Sequence, residues 1–124
     1  MKLLGLGLDL VELDNFTRRL TPELIGELFT PAERNYCESK AKPAEHYAAR
    51  FAAKEAVMKA LGAGLAQGLR FDQIEVGRDE GGAVHIKLDG KAAARAAELG
   101  VGAWRVSLTH TRSTAAAVAA ALAL

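Results

Sequence analysis

A single cysteine, Cys37, stands in a chain of 124 residues. It has no partner within the sequence, so no internal disulfide supports the fold, and a reducing compartment, the cytoplasm, is expected. An excess of one charge is also lacking: 16 Lys and Arg face 15 Asp and Glu, a formal net charge of +1. Bulk electrostatics therefore give no support for nucleic-acid binding, and any anion site has to be built locally. Long apolar runs are missing too. "MKLLGLGLDL" opens like a leader, but its apolar stretch runs only from Leu3 to Leu8 before Asp9 ends it. Nothing approaches the ~18 uninterrupted apolar residues of a membrane span, so no membrane association is expected. With 50% hydrophobic and 25% charged residues, the composition is that of a globular protein. The length suits one domain over residues 1–124.

What is present reads as a mixture of helix and strand. "KLLGLGLDLVEL" is a short apolar run with two glycines, a buried strand that tolerates close backbone approach. "TPEL" at Thr21 and "TPAE" at Thr30 each put a capping threonine before a proline at the first helical position. Glu33 adds the second half of a capping box. Pro43 and Glu45 open a long helix, Gly62 is placed to end it, and "GAGLAQG" follows as a flexible loop. From Phe71, "FDQIEVGRDEGGAVHIKL" predicts two strands joined by an Asp-Glu-Gly-Gly turn. Asp89 then caps a short alanine-rich helix that stops near Gly100. The last stretch, "AWRVSLTHTRSTAAAVAAALAL", leaves two readings open. Alanine favours helix, whereas "WRVSLTHT" alternates like a strand and "TRST" could turn it back into another. One α+β domain is the expectation.

The long helix carries more charge at its centre, "RFAAKEAVMKALG", than an alanine-rich surface helix needs. At roughly 100° per residue, Tyr47, Phe51, Met58 and Leu61 share one stripe, and Lys54 falls inside it. An amine there must snorkel, find a partner or serve a buried site. Glu55 and Lys59 sit on one flank at i,i+4, the favoured orientation for a plain surface pair, and Arg50 sits on the other. Asp9, following an apolar strand, would by itself serve the next turn. Taken jointly, Asp9 and Glu55, 46 positions apart, could converge on one divalent ion. Magnesium takes one or two protein carboxylates plus substrate phosphates, and the cations of the same helix would then face those phosphates. His110 in "LTHT" reads on its own as a neutral histidine hydrogen-bonded within a hairpin. Cys37 and His85 read as packing or surface residues, and Arg18 and Arg19 as a solvated helix face.

Four blocks, "GLGLDLVEL", "RFAAKEAVMKALG", "LRFDQIEV" and "VSLTHT", occur in that order over essentially the whole chain. In them the sequence resembles the holo-[acyl-carrier-protein] synthases, the small bacterial type of 4'-phosphopantetheinyl transferase. The resemblance implies the single-domain α+β fold of that family: a mostly antiparallel sheet packed by a long central helix and shorter helices, with the final alanine run a strand. It implies a homotrimer with active sites between subunits. The implied reaction is transfer of 4'-phosphopantetheine from coenzyme A to a serine of an apo-acyl carrier protein, releasing adenosine 3',5'-bisphosphate, in support of fatty acid biosynthesis. Asp9 and Glu55 match the family's magnesium carboxylates, and Lys59 its active-site lysine. Arg50, Lys54, Gly62, His110 and Thr111 match positions that bind coenzyme A. In such a site Glu55 takes the serine proton, directly or through a metal-bound water, and Lys59 neutralises or protonates the leaving group.

Three positions depart from the family pattern. Asn15 stands where many members carry an arginine that docks the acidic carrier, with Arg18 and Arg19 the nearest replacements. The loop reads "GAGLA" rather than Gly-Thr-Gly-Ile-Gly, with Ala63 and Ala66 as the changed residues, and Thr114 replaces an aromatic four residues after His110. Two other functions use the same features: a magnesium-dependent pyrophosphate hydrolase, and a noncatalytic module that binds coenzyme A or a carrier protein.

Overall fold

Two glycines decide how closely the central helix meets the sheet. A computed structural model describes residues 1–124. The first strand, β1 (Lys2–Glu12), leads into three short helices, α1 (Leu13–Arg19), α2 (Pro22–Leu28) and α3 (Pro31–Glu38), and then the long helix α4 (Pro43–Leu61). A hairpin of β2 (Ile74–Arg78) and β3 (Val84–Leu88) follows, then α5 (Gly90–Leu99), β4 (Ala103–His110) and β5 (Thr114–Ala123). The main sheet is antiparallel in the order β1-β5-β4, and the hairpin forms a separate two-stranded sheet. No helix is long and apolar enough to cross a membrane.

The alanine run is a strand because β5 occupies the centre of the sheet, paired along both edges. Its inward side chains, Ala115, Ala117, Ala119 and Ala121, are buried. They meet a helix that is itself faced with Ala48, Ala52, Ala53 and Ala56, all fully buried. Small side chains on both surfaces let sheet and helix approach closely, and pairing on two edges outweighs alanine's helical propensity. The approach is tightest at β1. A Cβ on Gly7 would stand 1.8 Å from the Ala56 carbonyl oxygen, and one on Gly5 would stand 2.0 Å from that of Ala60.

Strand β1 spans nearly the whole of "KLLGLGLDLVEL", as expected, so Asp9 lies within it rather than after its end. Gly7, Asp9 and Val11 alternate on the helix-facing side, and burial of Val11 beside α4 draws the strand past the carboxylate. Both Thr-Pro helix starts form as expected, and Thr30 and Glu33 make the full capping box of α3. The "GAGLAQG" segment is more ordered than a bare loop. Gly62 ends α4 with φ 65°, a 3-10 turn spans Leu65–Gln67, and the Gln67 side chain accepts from the Gly64 amide at 2.7 Å.

Candidate active site

Asp9 and Glu55 come together because β1 crosses α4 where Gly7 meets Ala56. Asp9 lies two residues beyond that glycine, and Glu55 immediately precedes that alanine. Lys59 Nζ donates to Asp9 Oδ1 at 3.1 Å and to the Leu8 carbonyl at 2.9 Å. The i,i+4 pairing of Lys59 with Glu55 expected from the helix alone is therefore replaced by a cross-element pairing with Asp9. Glu55 is half-buried and makes no ion pair. Burial pushes its carboxyl above the usual carboxylate range, the nearby Asp9 charge adds to that, and Lys59 pulls the other way.

These groups line an open cleft of about 670 Å³, with Asn15, Phe16, Arg19 and Phe51 on its walls. A second cleft of about 500 Å³ adjoins it and shares Glu55, Lys59, Leu65 and Phe71, with Gly62 and Gly64 on its floor. Of the two arginines proposed to replace the one absent at Asn15, Arg19 reaches the cleft wall; Arg18, also on α1, is exposed outside it. Two carboxylates, one with no counter-cation, beside a glycine-bearing loop and a lysine form a donor set suited to a divalent ion and its phosphate ligands.

The remaining site residues lie elsewhere. Lys54 is completely buried, and its amine meets Glu33 Oε1 at 2.7 Å. It also donates to the carbonyls of Phe71, at 2.9 Å, and Ile74. In this arrangement it faces the protein interior, where Glu33 supplies a partner for an amine in an apolar stripe. Arg50 is 1% exposed, with its guanidinium 3.9 Å from the Tyr36 ring centroid and its Nε without a hydrogen-bond partner. His110 Nε2 lies 3.4 Å from Glu45 Oε2, beside His46, rather than paired within the hairpin. The Thr111 hydroxyl accepts from the Ser113 and Thr114 amides at 3.3 and 3.2 Å, which shapes the turn between β4 and β5. Arg50 and His110 therefore gather near the start of α4. Ten residues separate Glu45 from Glu55, about 15 Å of helix at ~1.5 Å per residue, so one chain does not bring His110 to the Asp9–Glu55–Lys59 centre.

The sequence and the fold are shared with known proteins. The sequence matches the 4'-phosphopantetheinyl transferase superfamily over residues 5–120. A holo-[acyl-carrier-protein] synthase of Koribacter versatilis is 43% identical over 118 residues, covering 93% of this chain and 94% of that protein. The chain belongs to the 4'-phosphopantetheinyl transferase superfamily. The crystal structure of the holo-[acyl-carrier-protein] synthase of Neisseria meningitidis superposes with a TM-score of 0.88 at 28% identity, over 98% of this chain and 99% of that one. The coenzyme A complex of the Chronobacterium ammoniagenes enzyme superposes at 0.83 with 28% identity, over 100% and 99% of the two chains.

As a phosphopantetheinyl transferase, the chain has features that its sequence reading missed. Phe16, Phe51 and Phe71 form a row of rings, with centroids 5.4 and 5.1 Å apart, along the cleft. They come from three separate segments, so no periodic pattern joins them. Leu6, Leu8 and Leu10 are 61%, 61% and 68% exposed on the outer face of β1, next to Val118 of β5. This second apolar face was visible as strict alternation with Gly5, Gly7 and Asp9, had the strand been tested for two apolar faces.

Proposed function

We infer that this phosphopantetheinyl transferase moves 4'-phosphopantetheine from coenzyme A to a serine of apo-acyl carrier protein, in support of fatty acid biosynthesis. The observation that carries the reading is the convergence of Asp9, Glu55 and Lys59 from β1 and α4 on one cleft. The serine oxygen forms a new bond to the β-phosphorus of the coenzyme A pyrophosphate. The bond from that phosphorus to the bridging oxygen breaks, and adenosine 3',5'-bisphosphate departs. Glu55 accepts the serine proton, directly or through a metal-bound water, from its place on the cleft beside Lys59. Lys59 places a positive charge where negative charge collects on the departing phosphate. Asp9 holds that amine in place at 3.1 Å.

Magnesium fits the donor set, with Asp9 and Glu55 as its protein ligands and phosphate oxygens and water as the rest. When bound, it neutralises charge on the pyrophosphate. The active unit is a homotrimer in the cytoplasm. The exposed leucines of β1 and Val118 of β5 give each copy an apolar face to bury. His110 and Thr111 of one copy then serve the site of its neighbour, in keeping with the separation of His110 from Glu55 within one chain, and Arg50 stands beneath them against Tyr36. Replacing Leu8 and Leu10 together with glutamate is expected to yield monomers by light scattering.

Mass spectrometry of an apo-acyl carrier protein incubated with the enzyme, coenzyme A and magnesium tests the assignment. A mass gain of one phosphopantetheine is expected. Cleavage of coenzyme A without that gain makes the chain a hydrolase, and neither event makes it a binding module.

A further inference from the structure

The buried pair of Lys54 and Glu33 has no part in the transfer chemistry, yet it is completely built. Glu33 Oε1 accepts from the Thr30 amide at 2.9 Å as well as from Lys54, and Oε2 accepts from the Val76 amide at 2.8 Å. All three ammonium protons of Lys54 have acceptors: Glu33, the Phe71 carbonyl and the Ile74 carbonyl. Those two carbonyls bracket a single 3-10 turn, Phe71–Gln73, and Phe71 is its first residue. The ring of Phe71 leaves this turn to pack against Phe51 and borders both clefts that contain Glu55 and Lys59. One amine, adjacent in sequence to the catalytic carboxylate, thus anchors the backbone that presents the apolar wall opposite it.

We propose that Lys54 is a positioning residue that acts through Phe71, fixing the wall against which the uncharged pantetheine arm of coenzyme A lies. This rests on the transfer reading above. A phosphate contact is what the charge of Lys54 first suggests, but its burial and three internal acceptors leave no donor for a ligand. The pantetheine arm, an aliphatic chain with amides, is the portion of the substrate whose chemistry suits a phenyl wall, and it must be aligned with the cleft when its phosphate is transferred. Adenosine 3',5'-bisphosphate carries the nucleotide phosphates and lacks this arm, which separates the two roles.

The test combines kinetics with product affinity. Lys54→Met, and Lys54→Met/Glu33→Gln where the single variant leaves the carboxylate too costly to fold, are compared with the parent at a temperature where circular dichroism shows native structure. A loss in kcat/KM for coenzyme A of about tenfold or more is expected, with affinity for adenosine 3',5'-bisphosphate held within about twofold. Phe71→Ala, which keeps both backbone carbonyls and the buried pair, is expected to reproduce that split on its own. In the Phe71→Ala background, adding Lys54→Met should cost little further, because both changes remove the same wall. A parallel loss of bisphosphate affinity in the Lys54 variants would make Lys54 a phosphate contact and overturn the proposal. So would additive losses, or a Phe71→Ala enzyme with parental kcat/KM. The carrier mass assay is run on the parent, so failure of the transfer reading is recognised independently of these variants.

Discussion

Lys54 and Lys59 stand on the same helix within two turns of one another, and their surroundings give them opposite work. Lys54 has no exposed side-chain surface and meets a carboxylate of equal burial at 2.7 Å. Lys59 keeps 54% of its side chain exposed and meets Asp9 at 3.1 Å on the rim of a cleft. Burial pulls the Lys54 amine below the ordinary lysine range, while Glu33 opposes that pull by favouring the charged form. The first lysine must keep every proton bonded, because an unmatched charge in the interior is expensive. The second can leave Asp9 for a substrate phosphate at small cost, because water screens it. Helix position alone does not distinguish a buried structural ammonium from one free to meet a ligand; access to solvent and the number of internal acceptors do.

Removing each amine breaks the comparison most directly. Lys54→Ala strands Glu33 in the interior and is expected to lower stability by roughly 3–5 kcal/mol in a urea titration. Lys59→Ala is expected to cost at most ~1 kcal/mol of stability, as an exposed pair does, and to depress turnover by an order of magnitude or more. Equal stability losses for the two variants would erase the distinction.

Gly7→Ala separates the two lysines by a different route. Its methyl would collide with the Ala56 carbonyl, so β1 and α4 must part, and the overpacking is expected to cost ~1–3 kcal/mol or more. The strand carries Asp9 and the Leu8 carbonyl, so Lys59 loses both of its partners while the pair of Lys54 and Glu33, built from α3 and α4, stays together. Transfer activity should therefore fall further than the stability loss accounts for, measured where the variant remains folded.

How legible this was from sequence depends on the range of each interaction. The caps at Thr21, Thr30 and Asp89 were readable, because a cap is decided within four residues. So was the β2–β3 hairpin, and a buried partner was one of the three outcomes open to Lys54. The identity of that partner was not readable: Glu33 was read as half of a capping box, and it serves Lys54 and the Val76 amide as well. The i,i+4 rule assigned Lys59 to Glu55 because it knows only the helix, and β1 supplies a better acceptor from 50 residues away. Convergence of Asp9 and Glu55 was open as a joint possibility, and the family resemblance singled it out; no local pattern joins residues 46 positions apart. Alternation of Leu6, Leu8 and Leu10 with Gly5, Gly7 and Asp9 marks two faces of β1, and the long-range packing of α4 decides which one is covered.

Glu55 sharpens the comparison from the position between the lysines. Its carboxyl is held above its unfolded value, chiefly by burial and then by Asp9. The folded chain therefore keeps the proton over a pH window in which the unfolded chain has released it. The stability contributed by this group is complete below the unfolded value and is lost as pH rises through the folded value. In chelator-treated protein, Glu55→Gln should be the more stable form at neutral pH, by about 1–3 °C once solvent screening is allowed for, and the difference should close in acid. A parent that melts above the variant at neutral pH would show that Glu55 is stabilised as its anion. The same substitution is expected to reduce transfer sharply, since a side-chain amide in place of the carboxylate cannot accept the serine proton.

The smallest expected effect repeats the comparison on α1, where Arg18 and Arg19 are neighbours with different surroundings. Arg19 lines the cleft that contains Asp9 and Asn15, whereas Arg18 is exposed outside it. Asn15 supplies no cation to an acidic carrier protein, so Arg19 is the one placed to do so on the cleft of Asp9, Glu55 and Lys59. Charge at such a rim mainly sets the encounter rate and its dependence on salt. Arg19→Glu should therefore raise the carrier KM several-fold at low ionic strength, with coenzyme A affinity unchanged, and added salt should shrink the difference. Arg18→Glu should show a weaker form of the same effect, because its charge adds to the field without reaching the cleft. If both reversals leave the carrier KM at the parental value, the carrier approaches over another surface, and Arg34, Lys40 and Lys42 are the next cations to reverse. Equal effects from both would make the helix a diffuse basic face, in which the position of Arg19 on the cleft wall carries no special weight.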